Sequence, residues 1–196
     1  MSEDWKFIKE VHSFKELPSD QIPEFIFWGR SNVGKSSLIN SLTKKRIAKT
    51  SRTPGRTKSL VFFQFKNILR IVDFPGYGFS KISANQIIKL DLLLDQYFQK
   101  RKNLKKIFLL FDSRHLLKPI DLSIITLLEK SSEKEIIFVF TKKDKIKSLK
   151  LKKKNNESLN QIKKEFNKNI FNTSIKESNG IILLKKFLFK SQNIND

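Results

Sequence analysis

EFIFWGRSNVGKSSLINSLTKK, from Glu24 to Lys45, decides the architecture. Glu24–Gly29 is a short, almost wholly apolar run with the form of a buried strand. Over Ser36–Lys45, Leu38, Ile39 and Leu42 share one helical face. Between the two, GRSNVGKSS at Gly29–Ser37 matches the phosphate-loop pattern G-x-x-x-x-G-K-[ST]. Glycines in such a loop let backbone N–H groups turn inward around a phosphate, and the new helix adds its N-terminal dipole. Lys35 is placed to reach the β- and γ-phosphates, and Ser36 to offer its hydroxyl to Mg²⁺. A chance glycine-rich turn would not explain the strand before it and the helix after it.

Outward from this unit, apolar runs alternate with amphipathic segments. KSLVFFQFK and ILRIVDF read as a strand pair around Asn67. Asn85–Lys102 reads as a helix and Lys106–Asp112 as a strand. Pro119 opens a helix that runs to about Lys130, since proline suits a first helical turn. EIIFVFTKKD is a strand with its exit loop, NIFNTS a short strand, and GIILLKKFLFK a closing helix. The lysine-rich KLKKKNN reads as a loop or a poorly ordered helix start. The alternation predicts an α/β fold of three layers, a mostly parallel central sheet with helices on both faces. Residues 1–22 read as a lead-in, 23–191 as one nucleotide-binding domain, and 192–196 as a frayed tail.

Composition agrees with one domain. The chain has 196 residues, 39% of them hydrophobic, enough for a core. No apolar run approaches the roughly 18 residues of a membrane span, so no direct membrane anchor is expected. MSEDWKFIKEVHSF lacks a basic start followed by an apolar stretch, so no secretory signal is expected. The absence of cysteine excludes disulfides and fits a cytoplasmic location. Forty Lys and Arg oppose 19 Asp and Glu, a formal charge of +21. Such a field favours polyanions, meaning RNA, DNA or anionic lipid, although drift toward lysine in an A/T-rich genome gives the same sign. Lys142–Lys168 holds eleven lysines against three carboxylates.

Three further stretches sit where an open α/β sheet places its ligand, at strand ends. TKKD, Thr141–Asp144, offers a carboxylate for guanine N1–H and its 2-amino group, which adenine cannot match. The Lys142 stem can lie along the base, with Lys143 between it and Asp144. Thr141 stands where asparagine is commoner, and its hydroxyl can brace the phosphate loop. NTS, Asn172–Ser174 with Thr173 at its centre, is placed to give a backbone N–H to guanine O6. DFPG, Asp73-Phe74-Pro75-Gly76, puts a carboxylate near Mg²⁺, acting through water, and the Gly76 N–H near the γ-phosphate. In the basic loop AKTSRTPGRTKS, Thr57 is the candidate second Mg²⁺ ligand, among Gly55, Arg56, Lys58 and Ser59 as nucleotide contacts. Asp112 and His115 of DSRH read as structural, fixing the loop into the next helix rather than forming an acid–base pair. Tyr77, after Gly76, carries no amide to hold an attacking water and is expected to pack away from the γ-phosphate.

Taken together, Gly29–Ser37, TPGRT (Thr53–Thr57), DFPGYGF (Asp73–Phe79), DSRHLLKPID (Asp112–Asp121) and TKKD resemble the EngB/YsxC-type ribosome biogenesis GTPases. These belong to the TrmE–Era–EngA–EngB–septin class of P-loop GTPases. The likeness runs from about Phe14 to Phe189. It implies a cytoplasmic GTPase that hydrolyses GTP and assists large ribosomal subunit assembly through rRNA contact, with a link to cell division and septation. Carried over, GTP lies against Gly29, Arg30, Ser31, Asn32, Val33, Gly34, Lys35, Ser36 and Ser37. The Mg²⁺ ligands are Ser36 and Thr57, and the guanine contacts Thr141, Lys142 and Asp144. One extra residue in NTSIKESNG shifts the register near Asn172–Ser174. An asparagine at the position of Asn32 helps hold potassium in related GTPases. Catalysis would rest on Lys35, Mg²⁺ and the loop backbone, slowly, in a chain that is monomeric away from the ribosome. The rival reading is a passive RNA- or ribosome-binding module that keeps GTP as a structural ligand.

Overall fold

The structure is a computed structural model that describes residues 4–50, 59–78, 84–166 and 168–190. Among the described residues, seven strands form one sheet in the order β1-β3-β4-β2-β5-β6-β7. They are β1 Trp5–Val11, β2 Glu24–Gly29, β3 Leu60–Phe65, β4 Leu69–Asp73, β5 Leu104–Asp112, β6 Glu135–Thr141 and β7 Ile170–Asn172. The helices are α1 Lys35–Thr43, α2 Ala84–Lys100, α3 Pro119–Ser131, α4 Leu149–Phe166 and α5 Ser178–Lys190. β2 lies parallel between β4 and β5, and β5, β6 and β7 continue in parallel. The antiparallel pairings are at one edge, β1 with β3 and β3 with β4.

The central strands are apolar on both sides because helices cover both faces. Along β2, Phe25 and Phe27 point into one core with Leu38, Ile39 and Leu42 of α1 and Leu184 and Leu188 of α5. Ile26 and Trp28 point into the other, with Leu93 and Tyr97 of α2, Ile125 and Leu128 of α3 and Ile162 of α4. β5 and β6 repeat the alternation, with Phe108 and Val139 on the first side and Leu109 and Phe138 on the second. Each such side chain, fully buried, contributes roughly 1.5–3 kcal/mol of transfer free energy. The three-layer α/β architecture expected from sequence is the one observed.

One segment differs from expectation, and for another, read as a loop or a helix start, the helix start is the one observed. The lead-in of residues 1–22 contains β1, which pairs with β3 from Trp5↔Phe65 to Val11↔Leu60. Its register shifts between Phe7 and Lys9, which breaks the period-two pattern that would mark a strand. The lysine-rich KLKKKNN lies within α4, an 18-residue helix. Its inward face holds Asn155 and Ser158 beside Ile162, so an apolar helical period is hard to read there.

At the N-terminal end of β2, Glu24 is fully buried and carries a charged network. Arg101 donates to both its oxygens, at 2.8 and 2.5 Å, and the Tyr97 hydroxyl donates at 2.6 Å. Arg70 lies 3.5 Å away and donates in turn to Asp20. This network ties α2, β4 and the chain before β2 together at the end of the sheet away from Gly29. Among the described residues, no helix is long and apolar enough to cross a membrane.

Candidate nucleotide-binding site

Of the sequence-predicted residues, Gly29–Ser37, Asp73–Gly76, Thr141–Asp144 and Asn172–Ser174 lie at the C-terminal ends of β2, β4, β6 and β7. The chain leaves β2 at Gly29, turns through Arg30–Gly34 and enters α1 at Lys35. Asn32 (φ 63°) and Gly34 (φ 109°) both take positive φ, which bends the loop back on itself. At φ 109° a β-carbon is strained, so Gly34 needs to be glycine. Ser36 and Ser37 follow in the first turn of α1, half-buried. Gly76 closes on this loop: a β-carbon there would stand 2.9 Å from the Ser31 nitrogen.

The Lys35 ammonium pairs with Asp73 Oδ1, and both side chains are buried. Burial pushes the lysine down to about 7, and the Asp73 carboxylate in contact with it works in the opposite direction. Asp73 is the last residue of β4, beside Phe74, whose N–H donates to the Phe27 carbonyl at 3.0 Å. The Ser36 hydroxyl and the Asp73 carboxylate are hard oxygen donors, the type Mg²⁺ takes in small number while keeping its waters. The chemistry of this donor set fits Mg²⁺. Thr57, its second expected ligand, lies outside the described residues, as do Gly55, Arg56 and Lys58. Ser59 is buried, and its hydroxyl donates to Glu10 of β1.

The TKKD segment is welded to the phosphate loop. Thr141 Oγ1 lies 2.6 Å from the Val33 carbonyl oxygen and 3.1 Å from that of Phe111, sharing one proton between them. Lys142 has φ 59°, uncommon for a residue with a side chain. Its ammonium donates to the Asn32 carbonyl at 2.6 Å and to Asp112 Oδ2 at 2.8 Å. A β-carbon added at Gly34 would stand 3.5 Å from Lys142 Cε.

Asp144 accepts the Ser174 hydroxyl at 2.9 Å. The Lys143 N–H donates to Thr173 O, and the Thr173 N–H to Phe140 O, so the loop after Asn172 lies against TKKD. The two proposed guanine-contacting segments are thereby neighbours, whatever the extra residue beyond them.

Tyr77 lies beside the phosphate loop. Its N–H donates to Gly29 O, and its carbonyl accepts the Ser31 N–H, both at 3.3 Å. Its hydroxyl donates to Asp121 Oδ1 at 2.9 Å. Its ring meets Trp28 edge-on at 5.5 Å, while the Trp28 indole N–H donates to Pro75 O at 2.9 Å. Burial, then the nearby Asp121 carboxylate, push the phenol well above its ordinary value.

Asp112 does not use His115 as a carboxylate partner. Arg114 holds it in a fork, Nε at 2.9 Å and Nη2 at 2.6 Å, and the Lys142 ammonium is the third donor. The backbone N–H of His115 donates to the Asp112 carbonyl. Arg114 and Asp121 are site neighbours to which sequence reasoning assigns no role. The available signal for Asp121 is its place in the first turn of the helix opened by Pro119, where a carboxylate can accept the Lys118 N–H three residues back. Arg30, Asn32, Asp112, Arg114, His115 and Asp121 all border a cavity of about 160 Å³ beside the loop.

Comparison with known proteins assigns the family. Residues 24–142 match the model of the 50S ribosome-binding GTPase family. A probable GTP-binding protein EngB of Mycoplasmopsis synoviae is 39% identical over 191 residues, covering 97% of this chain and 98% of that protein. A second, from Bradyrhizobium diazoefficiens, is 44% identical over 147 residues, covering 74% and 67%. A crystal structure of a probable GTP-binding protein engB superposes with a TM-score of 0.66 at 26% identity, covering 87% of this chain and 98% of that one. With the phosphate loop, the DFPG turn and TKKD gathered at one end of the sheet, the chain belongs to the EngB family and is a P-loop GTPase.

Proposed function

We propose that this GTPase is a GTP-dependent switch on the assembling large ribosomal subunit, working in the cytoplasm with a link to septation. The observation that carries the reading is the outer face of α4, where Lys150, Lys152, Lys153, Lys163 and Lys164 are all exposed. That face suits the phosphates of rRNA, within a chain of formal charge +21. The name of the matching family, 50S ribosome-binding GTPase, points to the same partner. The septation link rests on the family resemblance alone.

The reaction is in-line attack of water on the γ-phosphate of GTP, giving GDP and phosphate. Lys35 leaves Asp73 and turns its charge to the β- and γ-phosphates, where it offsets developing negative charge. Ser36 and Thr57 would hold Mg²⁺, with Asp73 acting through water, and the bound ion would supply Lewis-acid stabilisation of the phosphate charge. Asn32 is the residue to hold potassium. Thr141 and Lys142 keep the loop in shape, and Asp144 reads guanine. Tyr77 spends its hydroxyl proton on Asp121, so it positions the DFPG turn and does not orient water. Turnover is therefore slow alone and rises with potassium, with the ribosomal particle, or with both.

The deciding experiment is sedimentation with large-subunit precursors in GTP and in GDP. The switch reading requires co-sedimentation that depends on the nucleotide. Equal binding in both states, with no multiple-turnover phosphate release, would leave a passive module that keeps GTP as a structural ligand.

A further inference from the structure

We propose that Asp112, outside every nucleotide motif, is a positioning residue of the GTP site that acts through Lys142. Asp112 ends β5 directly opposite Thr141, the end of β6. Its carboxylate therefore stands one residue from the lysine of TKKD, and takes the Lys142 ammonium at 2.8 Å. The same ammonium reaches the Asn32 carbonyl at 2.6 Å. A lysine stem is flexible, and its charge is strongly hydrated. Here both ends are held: the backbone at φ 59° and the head between Asp112 and Asn32. The result is a strut across the top of the sheet. It joins the segment that reads the base to the loop that holds the phosphates.

Arg114 explains why the carboxylate stays in place. Its fork takes one oxygen through Nε and the other through Nη2, and its backbone N–H adds a bond at 3.1 Å. Burial pushes Asp112 up, but the bonds from Arg114 and Lys142 outweigh it and hold the carboxyl well below the usual range. Asp112 is thus charged throughout the neutral range and oriented before nucleotide arrives. The DSRH segment supplies both the anchor and its brace, and its histidine is not needed for either.

The test is a double-mutant cycle read by GDP and GTP affinity. Asp112→Asn, matched in size, weakens both nucleotides by about tenfold, as expected for losing a charge-assisted bond. Lys142→Met weakens them by at least as much. In the Lys142→Met background, Asp112→Asn then has no further effect, since Asp112 acts only through the lysine. Asp112→Glu enters the same cycle, so the test stands if the asparagine variant fails to fold. Arg114→Gln loosens Asp112 and weakens both nucleotides by no more than Asp112→Asn does, and in the Lys142→Met background it too has no further effect. Additive losses in the cycle overturn the proposal. So does an Arg114→Gln loss that persists undiminished in the Lys142→Met background, which would make the DSRH loop as a whole, rather than the strut, responsible.

Discussion

The Tyr77 hydroxyl donates to Asp121 Oδ1 at 2.9 Å, while Asp121 Oδ2 accepts the Lys118 N–H at 2.8 Å. One buried carboxylate thus caps α3 and anchors the residue that follows DFPG. Removing the phenol oxygen in Tyr77→Phe leaves the cap intact and one carboxylate oxygen short of a donor, at a cost of about 1–3 kcal/mol. Phosphate release by Tyr77→Phe and Tyr77→Ala should stay within about tenfold of the parent, whereas Lys35→Ala should lose about a hundredfold or more. Rapid turnover in sodium alone that collapses in Tyr77→Ala would make the tyrosine catalytic instead.

Guanine selection should reside in Asp144. Asp144→Asn reverses the donor–acceptor match, so GTP binding should fall by about a hundredfold or more while xanthosine triphosphate gains. Competition of the two nucleotides for the purified variant measures this directly. Unaltered preference for GTP would remove Asp144 from the base site.

Potassium should matter through Asn32. Phosphate release is expected to be faster in potassium than in sodium for the parent, and the difference should vanish in Asn32→Ala. The comparison is made with and without large-subunit precursors, because the particle is the other source of transition-state charge. Equal rates in both salts, with and without particles, would exclude a monovalent cation from the reaction.

Binding to ribosomal particles should follow a steep salt law. Every phosphate that a lysine neutralises adds about 0.7–0.9 to the steepness of log affinity against log salt. Replacing Lys152, Lys153 and Lys154 with glutamine should flatten the slope by the share of about two phosphates, since Lys154 is half-buried and the other two are exposed. Salt-insensitive binding would mean that the charge is compositional.

Stability should be lost at the far end of the sheet without loss of nucleotide. Glu24→Ala strips the partner from Arg101 and the nearby Arg70, and should cost about 3–5 kcal/mol in denaturant unfolding. GTP affinity of the folded fraction should not move, because Gly29, where β2 meets the phosphate loop, lies at the opposite end of that strand.

What can be read from the chain alone follows from local rules. The apolar runs of β2, β5 and β6 lie in a parallel sheet covered on both sides, so burial and sequence agree residue by residue. The phosphate loop and TKKD depend on spacing, which a sequence displays. β1 is hidden because its pairing is interrupted after Phe7, so Phe7 and Ile8 are both exposed in a strand whose ends are buried. α4 is hidden because Asn155 and Ser158 occupy inward positions normally held by leucine or isoleucine. Asp112–Lys142 and Tyr77–Asp121 join residues 30 and 44 apart. Nothing in the local sequence announces such pairs, since they exist only once β5, β6 and α3 stand side by side.

The placement of β1 has a consequence for how the chain is made. Val11 has its partner in Leu60, so β1, made before β3, waits for about fifty more residues. At the usual pace of synthesis that is roughly 3 to 10 s. During that interval its backbone donors and acceptors face water, and an unpaired strand is a template for wrong partners. Lys6 and Lys9 lie within it, and their charges oppose pairing with another copy emerging alongside. When β3 arrives, β1 closes the antiparallel edge and Ser59 finds Glu10, so the earlier strand is locked by the later one.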